Sequence, residues 1–139
     1  MMRPLKLLML LGVLVGTGCS IFESEDPADT ARVRLTGTSP VDLELITSSD
    51  FAFNIDPQTG RRESVLVESD TVLVRPPYEQ AFDIAEFGIF LVRLTNAEQE
   101  TANVTLEIFI DDSRRLSQEM TIGADEGGEP GRFEWTWLN

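Results

Sequence analysis

Asn103-Val104-Thr105-Leu106-Glu107-Ile108-Phe109-Ile110 places Val104, Leu106, Ile108 and Ile110 on one side of an extended chain and Thr105, Glu107 and Phe109 on the other. Successive side chains of a β-strand point to opposite faces, so this stretch is a strand with one face in a core and one toward water. Asp111-Asp112-Ser113 then turns the chain, and Arg114 to Ile122 forms the returning strand.

The same period of two continues on both sides of this hairpin. Toward the C-terminus, Gly123 to Gly131 holds four glycines, a proline and three carboxylates, which marks a long loop. Phe133, Trp135 and Trp137 then alternate with Arg132, Glu134 and Thr136. Toward the N-terminus, Phe87 to Leu94 reads as a central strand whose single charge is Arg93, with Gly88 marking a bulge or a close backbone approach.

Further upstream, Val33 and Leu35 alternate with Arg32 and Arg34, and Val41, Leu43 and Leu45 with Asp42 and Glu44. Gly37-Thr38-Ser39-Pro40 between them is a turn, and a hairpin is the simplest connection. Ser48-Ser49-Asp50 breaks the pattern before Phe51, Phe53 and Ile55, and Asp56 to Gly60 is a loop. Ser64 to Val67 and Thr71 to Arg75, separated by Glu68-Ser69-Asp70, suggest a second hairpin. Their Val-Leu-Val centres alternate poorly, which predicts burial on both faces or an edge covered by a neighbour. Pro76-Pro77 ends the second run.

No helical period persists for ten residues after residue 20, whereas short apolar runs recur with turn residues between them. The expected fold is all-β: an antiparallel, immunoglobulin-like β-sandwich of about seven to nine strands over residues 31–139. Asn103 to Gln118, a strand, an acidic turn and a return strand, resembles the late hairpin of small immunoglobulin-like periplasmic domains, such as those of the mycobacterial small membrane proteins that accompany lipid exporters. That resemblance implies the fold and a partner-binding role, with no functional residue to carry over.

At the other end of the chain, Arg3 and Lys6 form a basic tip and Leu5 to Val15 is almost wholly apolar. Gly16, Thr17 and Gly18 are small enough for a signal protease. The apolar stretch spans about 20 Å as a helix, short of the ~30 Å hydrocarbon core of a membrane. Cys19, the only cysteine, follows directly. Thr17-Gly18-Cys19 resembles a bacterial lipobox, with Gly16 where that family usually has Leu. The resemblance implies that residues 1–18 are a signal peptide and that Cys19 becomes the lipidated (palmitate-bearing) first residue of the mature chain. Ser20 implies sorting to the outer rather than the inner membrane. An ordinary signal peptide with a chance cysteine, or an uncleaved anchor, are the alternatives. Residues 19–30, with Glu23, Glu25, Asp26, Pro27 and Asp29, read as the lipidated cysteine and an acidic tether.

The mature part holds all 24 acidic residues and nine basic ones, every one an arginine, for a charge of 9 − 24 = −15. Such a chain repels phosphate backbones and has no basic stripe, so nucleic acid is not an expected partner. With no histidine, no lysine in the mature part and no cysteine besides Cys19, nucleophile–base pairs and the usual zinc, copper and haem ligands are missing. Neither an enzyme nor a cofactor is expected.

Two ligand sites remain as candidates. Asp111, Asp112, Asp125, Glu126 and Glu129 could offer oxygen ligands to calcium, although no EF-hand spacing is present and solvated turns are the simpler reading. Trp135 and Trp137 share a strand face and could form a sugar platform, against which stands ordinary core packing. The sequence thus leads to a membrane-anchored cell-envelope lipoprotein that serves as a structural or protein-interaction module, with a carbohydrate- or calcium-binding module as the alternative.

Overall fold

The computed structural model describes residues 26–139. The signal segment, Cys19 and the first part of the tether lie outside the described residues. Among those described, no helix is long and apolar enough to cross a membrane.

Eight strands run in chain order as β1 (Thr30–Thr38), β2 (Leu43–Ile55), β3 (Arg62–Val74), β4 (Tyr78–Asp83), β5 (Phe90–Asn96), β6 (Ala102–Ile110), β7 (Ser113–Ile122) and β8 (Gly131–Trp137). They form two four-stranded sheets, β4-β1-β6-β7 and β3-β2-β5-β8, in which every pairing is antiparallel. The two sheets make a β-sandwich. Alternation decides which side chains enter it: Ala31, Val33 and Leu35 of β1 and Val104, Leu106, Ile108 and Ile110 of β6 meet Leu43 and Leu45 of β2 and Phe90, Val92 and Leu94 of β5. All of these are buried, and Tyr78, Phe82, Leu116 and Met120 close the margins of the first sheet.

The outward face of the first sheet carries the charges of the same strands. Glu79 on β4 bonds Arg32 at 3.1 Å and Arg34 at 2.7 Å on β1, Arg34 reaches Glu107 on β6 at 3.4 Å, and Glu107 takes Arg114 on β7 at 3.1 Å. The Arg32 guanidinium also lies 4.1 Å from the centre of the Phe109 ring. Exposed pairs of this kind add little stability singly, but a ladder across four strands penalises any slip in register.

β1 is flanked by β4 and β6, so neither edge is free for β2, and the expected hairpin between them does not form. Residues 39–42 instead carry the chain from one sheet to the other. Alternation alone cannot distinguish the two connections, because either one points both apolar faces at the same core. Gly37, with φ of +108°, lies so close to β6 that a Cβ would fall 2.3 Å from the Asn103 carbonyl oxygen. The domain also begins slightly before residue 31, since Thr30 is already in β1 and Ala28 is buried.

The second expected hairpin is likewise absent: Glu68-Ser69-Asp70 lies inside the single strand β3. It faces the break at Ser48-Ser49-Asp50 in β2, where the register shifts. The two polar interruptions are the two sides of one bend. The single Ser48 hydroxyl proton is shared between the carbonyls of Glu68, at 2.5 Å, and Asp50, at 2.9 Å, which fixes the bulge. The true turn is the loop at Asp56 to Arg61, closed by backbone bonds from Asp56 to Arg61 and from Gly60 to Asp56.

Beyond the bend, β2 pairs with β3 as far as Ile55 and Arg62, while its pairing with β5 stops at Ser48 and Leu91. Ser64 of β3 nevertheless donates to Glu134 of β8, on the far side of β5. The distal half of the β2–β3 ribbon is therefore folded back as a flap over the outer face of the second sheet. Phe51 and Leu91 are buried outside the main core, and Phe51 and Phe53 meet edge-on at 5.6 Å. A flap over the sheet explains why Phe90, Leu91 and Val92 are all buried. The burial predicted for β3 is not found, however, because the flap turns its own outward face to solvent.

The strand expected from Phe87 starts at Phe90, and Phe87 is exposed in the preceding turn. Gly88, with φ of +65°, donates to the Ile84 carbonyl. A Cβ there would come 2.9 Å from Cβ of Pro27, so the glycine does mark a close approach.

Two substitutions separate core from flap. Leu106→Ala empties a fully buried site and lowers global stability by about 2–5 kcal/mol in denaturant unfolding. Phe51→Ala instead raises amide exchange across residues 51–67 first, with the amides of β1 and β6 remaining protected.

Candidate functional site

The acidic candidates for calcium are placed in two groups. Asp111 and Asp112 form the two-residue turn between β6 and β7, with φ of 46° and 63°, the left-handed conformation that such a hairpin turn requires. Asp125, Glu126 and Glu129 lie in the β7–β8 connection. The ten residues of β7 separate the two groups by about 30 Å, at ~3.3 Å per residue. Among the described residues, no group of three or more acidic, histidine or cysteine side chains is arranged to hold a metal ion.

Both aspartates at the heart of these groups already bind backbone. The Asp111 carboxylate accepts from the amides of Asp29 at 3.0 Å and Thr30 at 2.9 Å, and the Asp111 amide donates to the Thr30 carbonyl. It fastens the beginning of β1 to the tip of the β6–β7 hairpin. Its pKa is held below the ordinary carboxylate value, chiefly by the Thr30 amide; desolvation pulls the other way, and the Asp29 amide and the Thr30 hydroxyl add to the lowering. Asp125 likewise accepts from the amides of Gly127 and Glu129 at 2.9 Å, which closes its loop.

Trp135 and Trp137 lie on the inner face of β8, opposite Val92 and Phe90. They are partly buried against the core, with ring centres 6.5 Å apart and planes 23° from parallel. Arg115 of β7 covers the Trp137 ring at 4.7 Å, which closes the side of the sandwich where β7 and β8 face each other. Trp137 Nε1 is buried without a hydrogen-bond partner among the described residues. The rings form a wall of the core rather than an outward platform.

The structure draws attention elsewhere, to the outer edge of the second sheet. β3 is thirteen residues long and pairs with β2 alone, so among the described residues one side of its backbone has no strand beside it. Val65 is 48% exposed and Val67 and Leu73 are each 67% exposed along this strand. The other sheet margins differ: β4 is six residues long and bears Glu79, Gln80 and Asp83, β7 bears Arg114, Arg115 and Glu119, and β8 is seven residues long. Proteins usually guard a free edge by making it short, charged or strongly bulged. β3 is the longest of these margins; it carries Arg62, Glu63, Glu68 and Asp70 and bends at its middle, but on either side of that bend it exposes Val65, Val67, Val72 and Leu73. The sequence shows these valines but not their exposure, since a Val-Leu-Val run reads as interior.

A second feature lies where the flap tip meets the sheet. Arg61, Arg62 and Ser64 face Arg93, Arg132 and Glu134 across a cleft of about 590 Å³. Glu134 accepts from Ser64 at 2.5 Å, Arg93 at 2.7 Å and Arg132 at 3.3 Å. Burial pulls its pKa upward, but the bonds from Ser64 and Arg93 outweigh that, so it lies below the ordinary glutamate value. Arg62 stacks on the Phe53 ring at 3.9 Å. Alternation identifies Arg93 and Glu134 as outward residues, but nothing in the sequence brings the flap to them.

Asp56, Glu79, Asp111 and Glu134 all have pKa values below normal in the fold. Depressed carboxylates stabilise the fold above their unfolded pKa, near 4, and that contribution is lost as pH falls through the lower folded values. Thermal stability is expected to hold from about pH 7 to 5 and to drop below about 4. Asp111→Asn, which keeps the acceptor but does not titrate, should reduce that drop. Tryptophan emission is expected to be blue-shifted, resistant to soluble quenchers and unchanged by added sugars. Comparison of the chain with family models, with curated proteins and with solved structures found no match.

Proposed function

We propose that this chain is a non-catalytic, lipid-anchored module of the bacterial cell envelope that binds a partner protein by accepting one of its strands at the free edge of β3. The anchor is Cys19, in the outer membrane, and the acidic segment behind it lets the sandwich stand off the bilayer. Several acyl chains, at ~0.8 kcal/mol per buried methylene, suffice for permanent attachment.

The observation that carries this reading is the long edge of β3, with Val65, Val67, Val72 and Leu73 exposed along it. An added strand satisfies the unpaired amides and carbonyls of such an edge, while its side chains cover the valines beside it. Charge favours a partner segment that alternates apolar with basic residues, because the mature chain would carry −15. A second copy of this chain is a poor occupant. Antiparallel self-pairing centred on Ser69 sets Glu68 of each copy against Asp70 of the other, and like charges directly opposite are destabilising.

The two halves of the proposal can be tested separately. Cys19→Ala should abolish palmitate incorporation and move the protein from the membrane to the soluble exported fraction; a variant that stayed in the membrane would remove the anchor. A photo-crosslinking residue at Val67 or Leu73 in living cells should give one discrete protein adduct, and the same residue at Gln118 on β7 none. Equal labelling from both edges, or none from β3, would rule out strand addition there.

A further inference from the structure

Nine arginines serve the part of the chain after Cys19, and four of them, Arg61, Arg62, Arg93 and Arg132, line the one cleft beneath the flap. That concentration is unexpected in a chain so acidic. Arg93 and Arg132 share a single carboxylate, Glu134, which orients both guanidiniums. Neither Arg61 nor Arg62 forms an ion pair among the described residues. With Glu63 as the other acid in the lining, the cleft has four positive and two negative charges, a net of 4 − 2 = +2.

We propose that this cleft is a binding site for a phosphate monoester group. Arg61 and Arg62 donate to it from the flap, and Arg93 and Arg132 complete the cradle from the sheet. A guanidinium presents N–H groups in a planar fork that matches phosphate oxygens, and stacking on Phe53 holds the Arg62 fork in place. A phosphate monoester carries roughly 1.5 to 2 negative charges at neutral pH, close to the excess in the cleft. The acids elsewhere on the domain do not cancel this attraction. Charges more than about 8 Å away are largely screened at physiological ionic strength, whereas the arginines act at contact distance.

The same phosphate group can arrive on a soluble ester or on the headgroup of phosphatidic acid in the membrane to which the chain is proposed to be tethered. The site itself rests on the cleft and not on the anchor or on the edge of β3, so it stands or falls separately from them.

The test uses the full chain reconstituted in phosphatidylcholine vesicles and titrated calorimetrically with inorganic phosphate at constant ionic strength. Saturable binding is expected, with sodium chloride giving no matching heat. Arg61→Ser/Arg62→Ser should weaken it by about tenfold or more without lowering the melting temperature. If that double variant melts early, Arg61→Ser alone, at an exposed turn, should still weaken binding by about threefold. Adding phosphatidic acid to the vesicles separates the sources: loss of phosphate binding assigns the site to the headgroup, and unchanged binding assigns it to a soluble ester. Absence of saturable binding, or binding unchanged in a folded Arg61 variant, overturns the proposal.

Discussion

One hydroxyl group determines the unusual half of this molecule. Ser48 Oγ shares its single proton between the Glu68 carbonyl across the bulge and the Asp50 carbonyl along its own strand, and it also accepts from the Asp50 amide at 3.2 Å. A bulge leaves backbone groups without their ladder partners, and buried groups in that state are costly. Ser48 is itself buried, so its hydroxyl supplies what the ladder has lost. With the bulge secured, the β2–β3 ribbon can bend out of the second sheet and lie over it. The covered Leu91, the arginine cleft and the outward valines of β3 all follow from that bend.

The two sheets consequently have different outer surfaces. The first is finished by the charged ladder from Glu79 to Arg114, which needs no further layer. The second is partly covered by the flap, with Phe51 and Leu91 buried and Ser64 bonded to Glu134, and that cover leaves β3 with a free side. A ribbon folded onto one face of a sheet can bury only the face it turns inward. Phe51 and Phe53 go in with Leu66 and Ser64 opposite them, and Ala52 and Val65 must therefore come out. The exposed valine next to the bend is thus the geometric counterpart of the buried phenylalanine.

The sandwich was legible in the sequence where local pattern and tertiary environment agree. Val104 to Ile110 alternates because one face is core and the other is solvent, and the β6–β7 hairpin follows with its Asp-Asp turn. Pattern and environment part company in three places. Between β1 and β2 the apolar positions report only the shared core, not which strands pair. At Glu68-Ser69-Asp70 a polar triplet resembles a turn, and it takes Ser48-Ser49-Asp50 opposite it to show a bend. On β3 the valines look buried because side-chain type cannot reveal that a neighbouring strand is missing. The arginine cleft was invisible for a related reason, since Arg61 and Arg93 are brought together by a fold-back that no local period encodes.

The aspartate turn shows a carboxylate put to structural use. Asp111-Asp112 suggests a cation site when read as two carboxylates, yet Asp111 adopts a positive φ that aspartate tolerates better than most residues. In that conformation its carboxylate reaches back to the amides of Asp29 and Thr30, at the point where the described chain enters β1. The acid at this position is thus spent on holding the entry of the domain against its most regular hairpin. Any pull on the N-terminal segment first loads those two hydrogen bonds and the adjoining Asp111–Thr30 backbone bond, before it reaches the core. For the N-terminal tether proposed above, that is the place where a fastening is needed, and the sandwich supplies it with hydrogen bonds to a charged acceptor, which are stronger than neutral ones.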